Sequence, residues 1–193
     1  YFSTSEIYGD PDKKNIPTKE SYRGNVSSVG PRACYDEAKR YSETLCYIYG
    51  TYYSIPIIVI RPFNNFGPGL NINDGRLVAD LARAALKKKS LILHSDGSPT
   101  RTFCYIADAI PGYLNCLKFN KFEIINIGND KQEISVKNFA DIFSNKCKKI
   151  LGYYPEISFK MSEDKMYLVD NPQRRKPNID KARKLINFKP EIT

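Results

Sequence analysis

Residues 30–40 read Gly-Pro-Arg-Ala-Cys-Tyr-Asp-Glu-Ala-Lys-Arg, a pattern typical of the start of a helix. Pro31 suits the first helical position, where its missing N–H costs nothing. A helix places Tyr35 and Lys39, which are four residues apart, on the same face. The stretch therefore predicts a helix that presents a phenol beside an ammonium group.

This arrangement has a possible chemical use. A neighbouring ammonium and a helix N-terminus both stabilise a phenolate, so such a tyrosine can act as a base near neutral pH. It would take the proton of a sugar or alcohol hydroxyl while the hydride leaves for a nicotinamide. The spacing of Tyr35 and Lys39 alone is weak support, because this composition gives roughly one or two such pairs by chance. A half-buried tyrosine beside a solvated lysine is the structural alternative.

The sequence around this helix alternates between apolar runs and helical patterns. Residues 1–4 are typical of the end of a buried strand, and Ile55–Ile60 has the composition of a central parallel strand. Residues Asn71–Asp74 are expected to cap the helix that follows them. The pattern predicts helices at about 32–53, 75–88, 107–118, 136–150 and 179–187, and strands near 91–94, 102–106, 124–127 and 156–160. Such alternation predicts an α/β fold with a doubly wound parallel sheet and right-handed crossovers.

Composition excludes several classes of protein. The net charge of +9 comes from scattered residues, apart from the runs 87–89 and 174–176. A nucleic-acid binder needs a continuous basic stripe with exposed aromatics, so we expect no nucleic-acid partner. Five widely spaced cysteines and a single histidine predict reduced thiols in a cytoplasmic protein, without a disulfide framework or a metal site. No apolar run approaches the roughly 20 residues of a membrane helix, so no membrane partner is expected.

One motif is absent. A dinucleotide-binding fold begins with a strand, a glycine-rich turn such as Gly-x-Gly-x-x-Gly, and a helix. The chain contains no such motif, and Gly67-Pro68-Gly69 cannot replace it because the proline lacks a donor N–H. Either the pyrophosphate cradle lies upstream of residue 1, or the protein binds no dinucleotide.

A set of short motifs nevertheless follows a recognisable order. They are Ser3–Pro11, Gly30–Glu37, Arg61–Pro68, Asn73–Arg76, Asp96–Arg101, Asn126–Asn129 and Pro172–Pro177. Together they resemble the extended short-chain dehydrogenase/reductase family of nucleotide-sugar enzymes, and within it the UDP-glucuronate decarboxylases. The resemblance covers nearly the whole chain but only the carboxy-terminal part of a family member. It implies a partial Rossmann-like fold with NAD as cofactor and a UDP-sugar as substrate.

The resemblance also implies a division into domains. Residues 1–66 and 101–130 would form the second half of the NAD-binding Rossmann-like domain and carry the catalytic residues. Residues 67–100 and 131–193 would form a small α/β domain that binds the nucleotide sugar. Members of the family commonly dimerise, which implies a homodimer through the helix that carries Tyr35.

The family pattern assigns roles around the reacting sugar. Tyr35 resembles the catalytic base, and Lys39 resembles the group that stabilises its phenolate and holds the nicotinamide ribose. Thr4 resembles the hydroxyl that hydrogen-bonds the reacting sugar oxygen. Glu6 resembles the acid beside the carbon that loses its carboxylate. Packing at a strand end and a solvated loop position are the ordinary alternatives for Thr4 and Glu6.

Three further residues resemble substrate ligands. Asn64 and Arg101 correspond to contacts with the diphosphate, for which a bidentate guanidinium is well shaped. Arg175 corresponds to the arginine that receives the substrate carboxylate and assists its loss. For Arg174 and Lys176 a solvated position is the better interpretation, and a turn-forming role is the alternative for Asn64.

The implied reaction oxidises the C4 hydroxyl with NAD⁺, releases carbon dioxide from the β-keto acid, and yields UDP-xylose or a UDP-4-keto-pentose. Family 4,6-dehydratases normally have an aspartate where this chain has Ser5, and 4-epimerases a smaller residue than Glu6. Both remain alternatives. A non-catalytic nucleotide-sugar-binding fragment without a cofactor cradle is a third.

Overall fold

A computed structural model of the 193-residue chain describes residues 1–160 and 172–192. The helices are α1 (Ala33–Tyr52), α2 (Leu77–Leu86), α3 (Ile106–Cys116), α4 (Val136–Leu151) and α5 (Asp180–Ile186). The strands are β1 (Ile58–Pro62), β2 (Asn65–Phe66), β3 (Leu91–Leu93), β4 (Thr100–Arg101), β5 (Cys104–Tyr105), β6 (Glu123–Ile127), β7 (Ile134–Ser135), β8 (Ile157–Phe159) and β9 (Arg174–Arg175). Two 3₁₀ turns, Ser5–Tyr8 and Lys13–Asn15, precede α1.

The predicted α/β class with parallel strands is confirmed. Strands β1 and β6 run parallel, from the pair Ile58 and Glu123 to the pair Pro62 and Ile127. The amino-terminal residues extend this sheet, since Phe2 forms a parallel bridge to Ile60. The pairs β2–β5 and β3–β8 are parallel as well. Parallel strands end at one edge, and the segment that follows residue 4 starts from that edge.

The buried apolar side chains form two main clusters. The first lies among β1, β6, α3 and α5 and contains Ile60, Cys104, Ala109, Cys116, Ile125, Ile127, Ile179, Ala182, Ile186 and Phe188. The second lies among α2, β3 and α4 and contains Leu81, Leu91, Leu93 and Ala140. The division into domains remains a prediction. Helix α5, which that division places in the substrate domain, packs into the first cluster.

Helix α1 forms where the sequence predicts it, but its start differs. Ala33 is the first helical residue and Arg32 occupies the N-cap position. Placing Pro31 at the first helical position is therefore wrong. Residues 30–32 form a turn instead, in which the N–H of Ala33 donates to the carbonyl of Gly30 at 3.2 Å.

The expected cap of α2 is also wrong. Arg76 occupies the N-cap position, and no side-chain cap bond forms there. The Asn71 side chain accepts from the N–H of Asn73, and Asp74 pairs with Arg76. These polar side chains bond to groups within their own turn, as short polar side chains often do, and therefore do not cap the N-terminus of α2.

The short sheet β7-β4-β9 was not predicted. Where one strand was expected at 102–106, the structure has β4, then β5, with α3 beginning at Ile106. Strand β9 lies within the segment predicted to be irregular, and the part of that segment at 161–171 lies outside the described residues. Strand β4 pairs antiparallel with β7 and parallel with β9, so that Thr100 lies beside Arg174 and Arg101 beside Arg175.

The loop between the first 3₁₀ turn and α1 is closed at Gly9. Gly9 has φ +61°, and a Cβ there would lie 1.8 Å from the carbonyl oxygen of Asn25. The N–H of Asn25 donates to the carbonyl of Tyr8 at 2.9 Å. Only glycine permits this backbone approach, which brings the two ends of the loop together.

None of the helices in the described residues combines the length and the apolar character that a membrane crossing requires. All five cysteines carry free thiols, and Cys34 is the exposed one.

Candidate active site

A cleft of about 660 Å³ collects side chains from distant parts of the chain. Six of the seven predicted site residues line it: Thr4, Glu6, Tyr35, Asn64, Arg101 and Arg175. Its lining also includes Leu77 and Leu81 of α2 and Leu93 of β3. The structure thus brings the substrate-binding candidates together, while their individual roles remain predictions.

Tyr35 and Lys39 share a face of α1, as their spacing predicts. Tyr35 is 49% exposed, so its phenol is accessible from the cleft. The Lys39 ammonium lies 5.9 Å from the centre of the Tyr35 ring and 5.3 Å from that of Tyr1. It donates a hydrogen bond to the carbonyl of Phe2 at 2.9 Å. Lys39 is outside the cleft lining and is anchored to the neighbouring strand.

A buried ion pair fixes α1 against the sheet. Glu43 follows Lys39 by four residues on the same face and binds Arg61 of β1, with Nη2–Oε2 at 2.6 Å and Nε–Oε1 at 2.9 Å. The Ser3 hydroxyl also donates to Glu43, at 2.5 Å. Burial lowers the pKa of Arg61, but Glu43 more than offsets this and holds it above its ordinary value. These contacts hold helix α1, which carries Tyr35, against the end of the amino-terminal segment that carries Thr4.

Thr4 caps the first 3₁₀ turn. Its Oγ1 accepts from the N–H of Glu6 at 3.2 Å, and its backbone is extended. As an acceptor in this bond, the hydroxyl keeps its own proton for another partner. The cap also fixes the turn from which Glu6 reaches the cleft.

Glu6 is held by two arginines. Arg175 binds it with both terminal nitrogens: Nη2 lies 2.7 Å from Oε2, and Nη1 contacts Oε1. Arg32 donates to the same Oε2. Burial would raise the pKa of Glu6, but Arg175 and Arg32 outweigh it and hold the pKa below its ordinary value. The acid is therefore an ionised carboxylate and not a solvated loop residue.

Arg101 and Arg175 lie beside each other because of the strand pairing. Cross-strand neighbours share a face of a sheet, and both arginines line the cleft. Burial and the neighbouring charge of Arg175 lower the pKa of Arg101 to about 10. Like charges in register repel, so this wall of the cleft favours an anion.

Asn64 sits in an unusual backbone conformation at the end of β1. Its φ is +41°, which few residues other than glycine adopt and which occurs often at functional sites. Its side-chain amide donates to the carbonyl of Thr102 at 2.8 Å. This bond fixes the direction of the side chain that lines the cleft.

Sequence reasoning missed Arg32, Glu43 and Arg61 as parts of the site. Arg32 lies within the motif at residues 30–37, Arg61 begins the motif Arg61–Pro68, and Glu43 continues the spacing of Tyr35 and Lys39 by one turn, so a signal existed for each. In the described part of the chain, no group of three or more His, Cys, Asp or Glu side chains could hold a metal ion.

The family profile and the curated relatives that match this chain agree on one family of enzymes. The profile of the NAD dependent epimerase/dehydratase family matches residues 1–128. UDP-glucuronic acid decarboxylase 1 of Xenopus tropicalis is 42% identical over 190 residues, which cover 98% of this chain and 42% of that protein. UDP-glucuronic acid decarboxylase 3 of Arabidopsis thaliana is 38% identical over 98% of this chain and 52% of its own length. The chain spans about half the length of these curated relatives.

Solved structures agree on the fold. UDP-glucuronic acid 4-epimerase from Bacillus cereus, in complex with UDP-glucuronic acid and NAD, is 28% identical with a TM-score of 0.76. The match covers 100% of this chain and 56% of that one. UDP-glucose 4-epimerase from Thermotoga maritima, at 22% identity, has a TM-score of 0.82 over 100% of this chain and 58% of its own, and shows the fold alone. The family match covers more than half of the chain, and the chain belongs to the NAD dependent epimerase/dehydratase family.

Proposed function

We propose that the protein containing this chain is an NAD-dependent enzyme that decarboxylates UDP-glucuronate through a 4-keto intermediate to UDP-xylose or a UDP-4-keto-pentose. The observation that carries the proposal is the cleft, whose lining contains an accessible Tyr35 together with Arg101 and Arg175. Such a lining suits a ligand with a diphosphate and a carboxylate. The curated relatives named UDP-glucuronic acid decarboxylases support this substrate.

The residues present fit one end of the cofactor. The phenol of Tyr35 is open to the cleft and the ammonium of Lys39 lies beside it, as a nicotinamide ribose requires. The glycine-rich turn for the pyrophosphate does not occur in this sequence. When bound, NAD⁺ supplies a hydride acceptor that later returns the hydride.

The chain's own residues account for the removal of the hydroxyl proton and for the loss of carbon dioxide. Tyr35 takes the proton of the C4 hydroxyl. The product ketone is β to the carboxylate, so loss of carbon dioxide leaves an enolate at the C4 oxygen. Thr4 and the protonated Tyr35 donate hydrogen bonds to that oxygen. Arg175 binds the carboxylate that leaves, while Arg101 and Asn64 hold the diphosphate.

The reaction is tested with the full-length protein and UDP-glucuronate labelled at C6. We expect labelled carbon dioxide and a UDP-pentose. Conversion to UDP-galacturonate with the label retained would show a 4-epimerase, the activity named for the Bacillus cereus relative. A 4,6-dehydratase is tested separately with UDP-glucose, and binding without any turnover would show a non-catalytic binding protein.

Arg175→Ala tests the carboxylate contact. A charge-assisted bidentate contact contributes about 1.5–3 kcal/mol, so UDP-glucuronate binding should weaken about 10-fold or more. Binding of UDP and UDP-glucose should change little, as measured by calorimetry. Arg174→Ala is the matched control, because Arg174 points to the other face of β9 and binds Glu133. Equal losses for UDP and UDP-glucuronate would make Arg175 a phosphate ligand instead.

The homodimer is a further proposal. Helix α1 exposes apolar side chains on the face away from the sheet, including Tyr41 (66% exposed), Leu45 and Tyr52 (73% exposed). A second copy of the same helix would cover them, which sedimentation of the full-length protein can test.

A further inference from the structure

The Glu6 carboxylate joins two arginines that belong to different elements. Arg32 occupies the N-cap position of α1, three residues before Tyr35, while Arg175 lies on β9. Both donate to the same oxygen, Oε2, and Arg175 also contacts Oε1. Glu6 is thus bound on two sides and can lose one arginine without losing both.

Arg32 has a second acidic neighbour that fixes its position. Its Nε lies 3.8 Å from Oδ2 of Asp36, which is buried in the first turn of α1. Arg32 therefore remains attached to α1 whether or not Arg175 stays paired with Glu6. Arg175 has a different neighbour, Arg101, whose positive charge favours an additional anion at that side of the cleft.

We propose that the Glu6 carboxylate occupies, on Arg175, the position that the carboxylate of an acidic sugar takes when it binds. Arg32 is then a positioning residue, because it keeps hold of Glu6 after Glu6 has left Arg175. The inference rests on the proposed function and adds a basis for selectivity. Exchange of one carboxylate for another preserves the bidentate contact of Arg175. It also leaves no uncompensated buried charge, because Glu6 keeps Arg32. A neutral sugar offers nothing to exchange and leaves Glu6 on Arg175.

The test measures binding of UDP-glucuronate and UDP-glucose to the full-length protein by calorimetry. Glu6→Gln keeps the shape but removes the competing charge, so UDP-glucuronate should bind about 3–10-fold tighter and UDP-glucose should change less than about 2-fold. Arg32→Met removes the alternative partner, so Glu6 stays on Arg175. UDP-glucuronate should then bind about 3–10-fold more weakly, again with little change for UDP-glucose.

The double variant Glu6→Gln/Arg32→Met makes the test specific. If Arg32 acts only through Glu6, the loss caused by Arg32→Met should disappear in the Glu6→Gln background. Arg32→Lys should restore part of the selectivity. Arg40→Met is the matched control, because Arg40 lies on the same helix but donates to the carbonyls of Ile7 and Arg23. Any effect of that control should be equal for both ligands, and thermal melts check that each variant is folded.

The outcomes separate the two proposals. If the parent protein binds neither sugar nucleotide, the proposed function fails. If the parent binds UDP-glucuronate but Glu6→Gln leaves its affinity unchanged or weaker, the exchange is wrong. Equal weakening of both ligands by Arg32→Met, or a loss that persists in the double variant, also overturns it.

Discussion

Tyr35 combines accessibility with anchoring of its neighbour. The residue is 49% exposed, while the Lys39 ammonium is held by the carbonyl of Phe2. The phenol can therefore meet a ligand beside a charge whose position is set by the protein. This arrangement suits proton transfer, because the accessible phenol lies beside an anchored positive charge.

Tyr35→Phe in the full-length protein should slow the first oxidation and spare binding. Loss of a general base typically lowers the rate about 10²–10⁴-fold, and the transient reduction of NAD⁺ within a single turnover measures that rate. Tyr49→Phe is the matched control, because Tyr49 lies on the same helix and is 48% exposed. A Tyr35→Phe rate above about a tenth of the parental rate would place the base elsewhere.

Glu133 gives a prediction about pH. Arg174 donates two hydrogen bonds of 2.7 Å to the Glu133 carboxylate, and the Thr100 hydroxyl donates a third. These bonds lower the pKa of Glu133 more than burial raises it, from 4.5 to about 2. A lowered folded pKa stabilises the fold above pH about 4.5, and this contribution disappears as the pH falls towards 2. The shift alone corresponds to at most about 3 kcal/mol. Because the Arg174 side chain is 41% exposed, solvent screening reduces the expected value to about 1 kcal/mol.

Glu133→Gln should therefore lower the free energy of unfolding by about 1 kcal/mol at pH 7, and the difference from the parent should vanish near pH 2. Urea unfolding across this range measures it. The same substitution at exposed Glu156 serves as the control and should leave the pH dependence unchanged. A constant difference at all pH values would show that the contribution of Glu133 is not ionic.

Among the elements, the loop closed by Gly9 depends on a single backbone contact. Gly9→Ala would place a Cβ 1.8 Å from the Asn25 carbonyl oxygen, so the backbone must move. A positive φ alone costs alanine about 1–2 kcal/mol, and the clash adds to it. We expect a loss of more than about 2 kcal/mol, or roughly 4–8 °C in the melting temperature.

Gly69→Ala separates the two effects. Gly69 also has a positive φ, +88°, but no atom lies within 4 Å of its Cβ position. It should lose only the conformational part, about 1–2 kcal/mol. Equal melting temperatures for both variants would mean that the loop relaxes away from the contact.

Local spacing explains why some of the site could be predicted. The positions of Tyr35 and Lys39 follow from the helical repeat once the helix is recognised. The neighbouring positions of Arg101 and Arg175 do not, because they require two strands of two residues each that lie far apart in the sequence. Such strands carry no periodic signal. Their arginines could be assigned through the resemblance, but the contacts of Arg175 and Arg32 with Glu6 could not.

Over the whole molecule, a buried polar network joins helix α1, the sheet and the first loop. Arg61 links Glu43 of α1 to the Tyr8 hydroxyl, at 2.7 Å, and Tyr8 donates to the side chain of Asn126 in β6 at 2.8 Å. Burial raises the pKa of Tyr8, so the hydroxyl remains a donor. The network holds the helix, the sheet and the first loop in one arrangement.

Glu43→Ala should test this network. It leaves Arg61 buried without its carboxylate, which typically costs about 3–5 kcal/mol. Glu37→Ala is the control, because Glu37 makes an exposed pair with Arg40 at 3.5 Å and should lose less than about 1 kcal/mol. In the double variant Glu43→Met/Arg61→Met, most of the loss should be recovered, since no charge remains buried. Chemical unfolding measures the free energy of unfolding of the three variants. If the double variant is no more stable than Glu43→Ala, the loss of stability comes from packing alone.

The alternation of side chains on β9 has a consequence for substrate choice. Arg174 faces Glu133 and Arg175 faces the cleft, so a slip of one residue against β4 would exchange the two faces. The sequence that follows, Lys176, would then place an ammonium where the guanidinium had been. The protein would remain folded and would still present a cation, but the forked contact with a carboxylate would be lost. A one-residue deletion before β9 would therefore change the cation that faces the cleft while leaving the architecture intact, so the proposed preference for an acidic sugar depends on strand register.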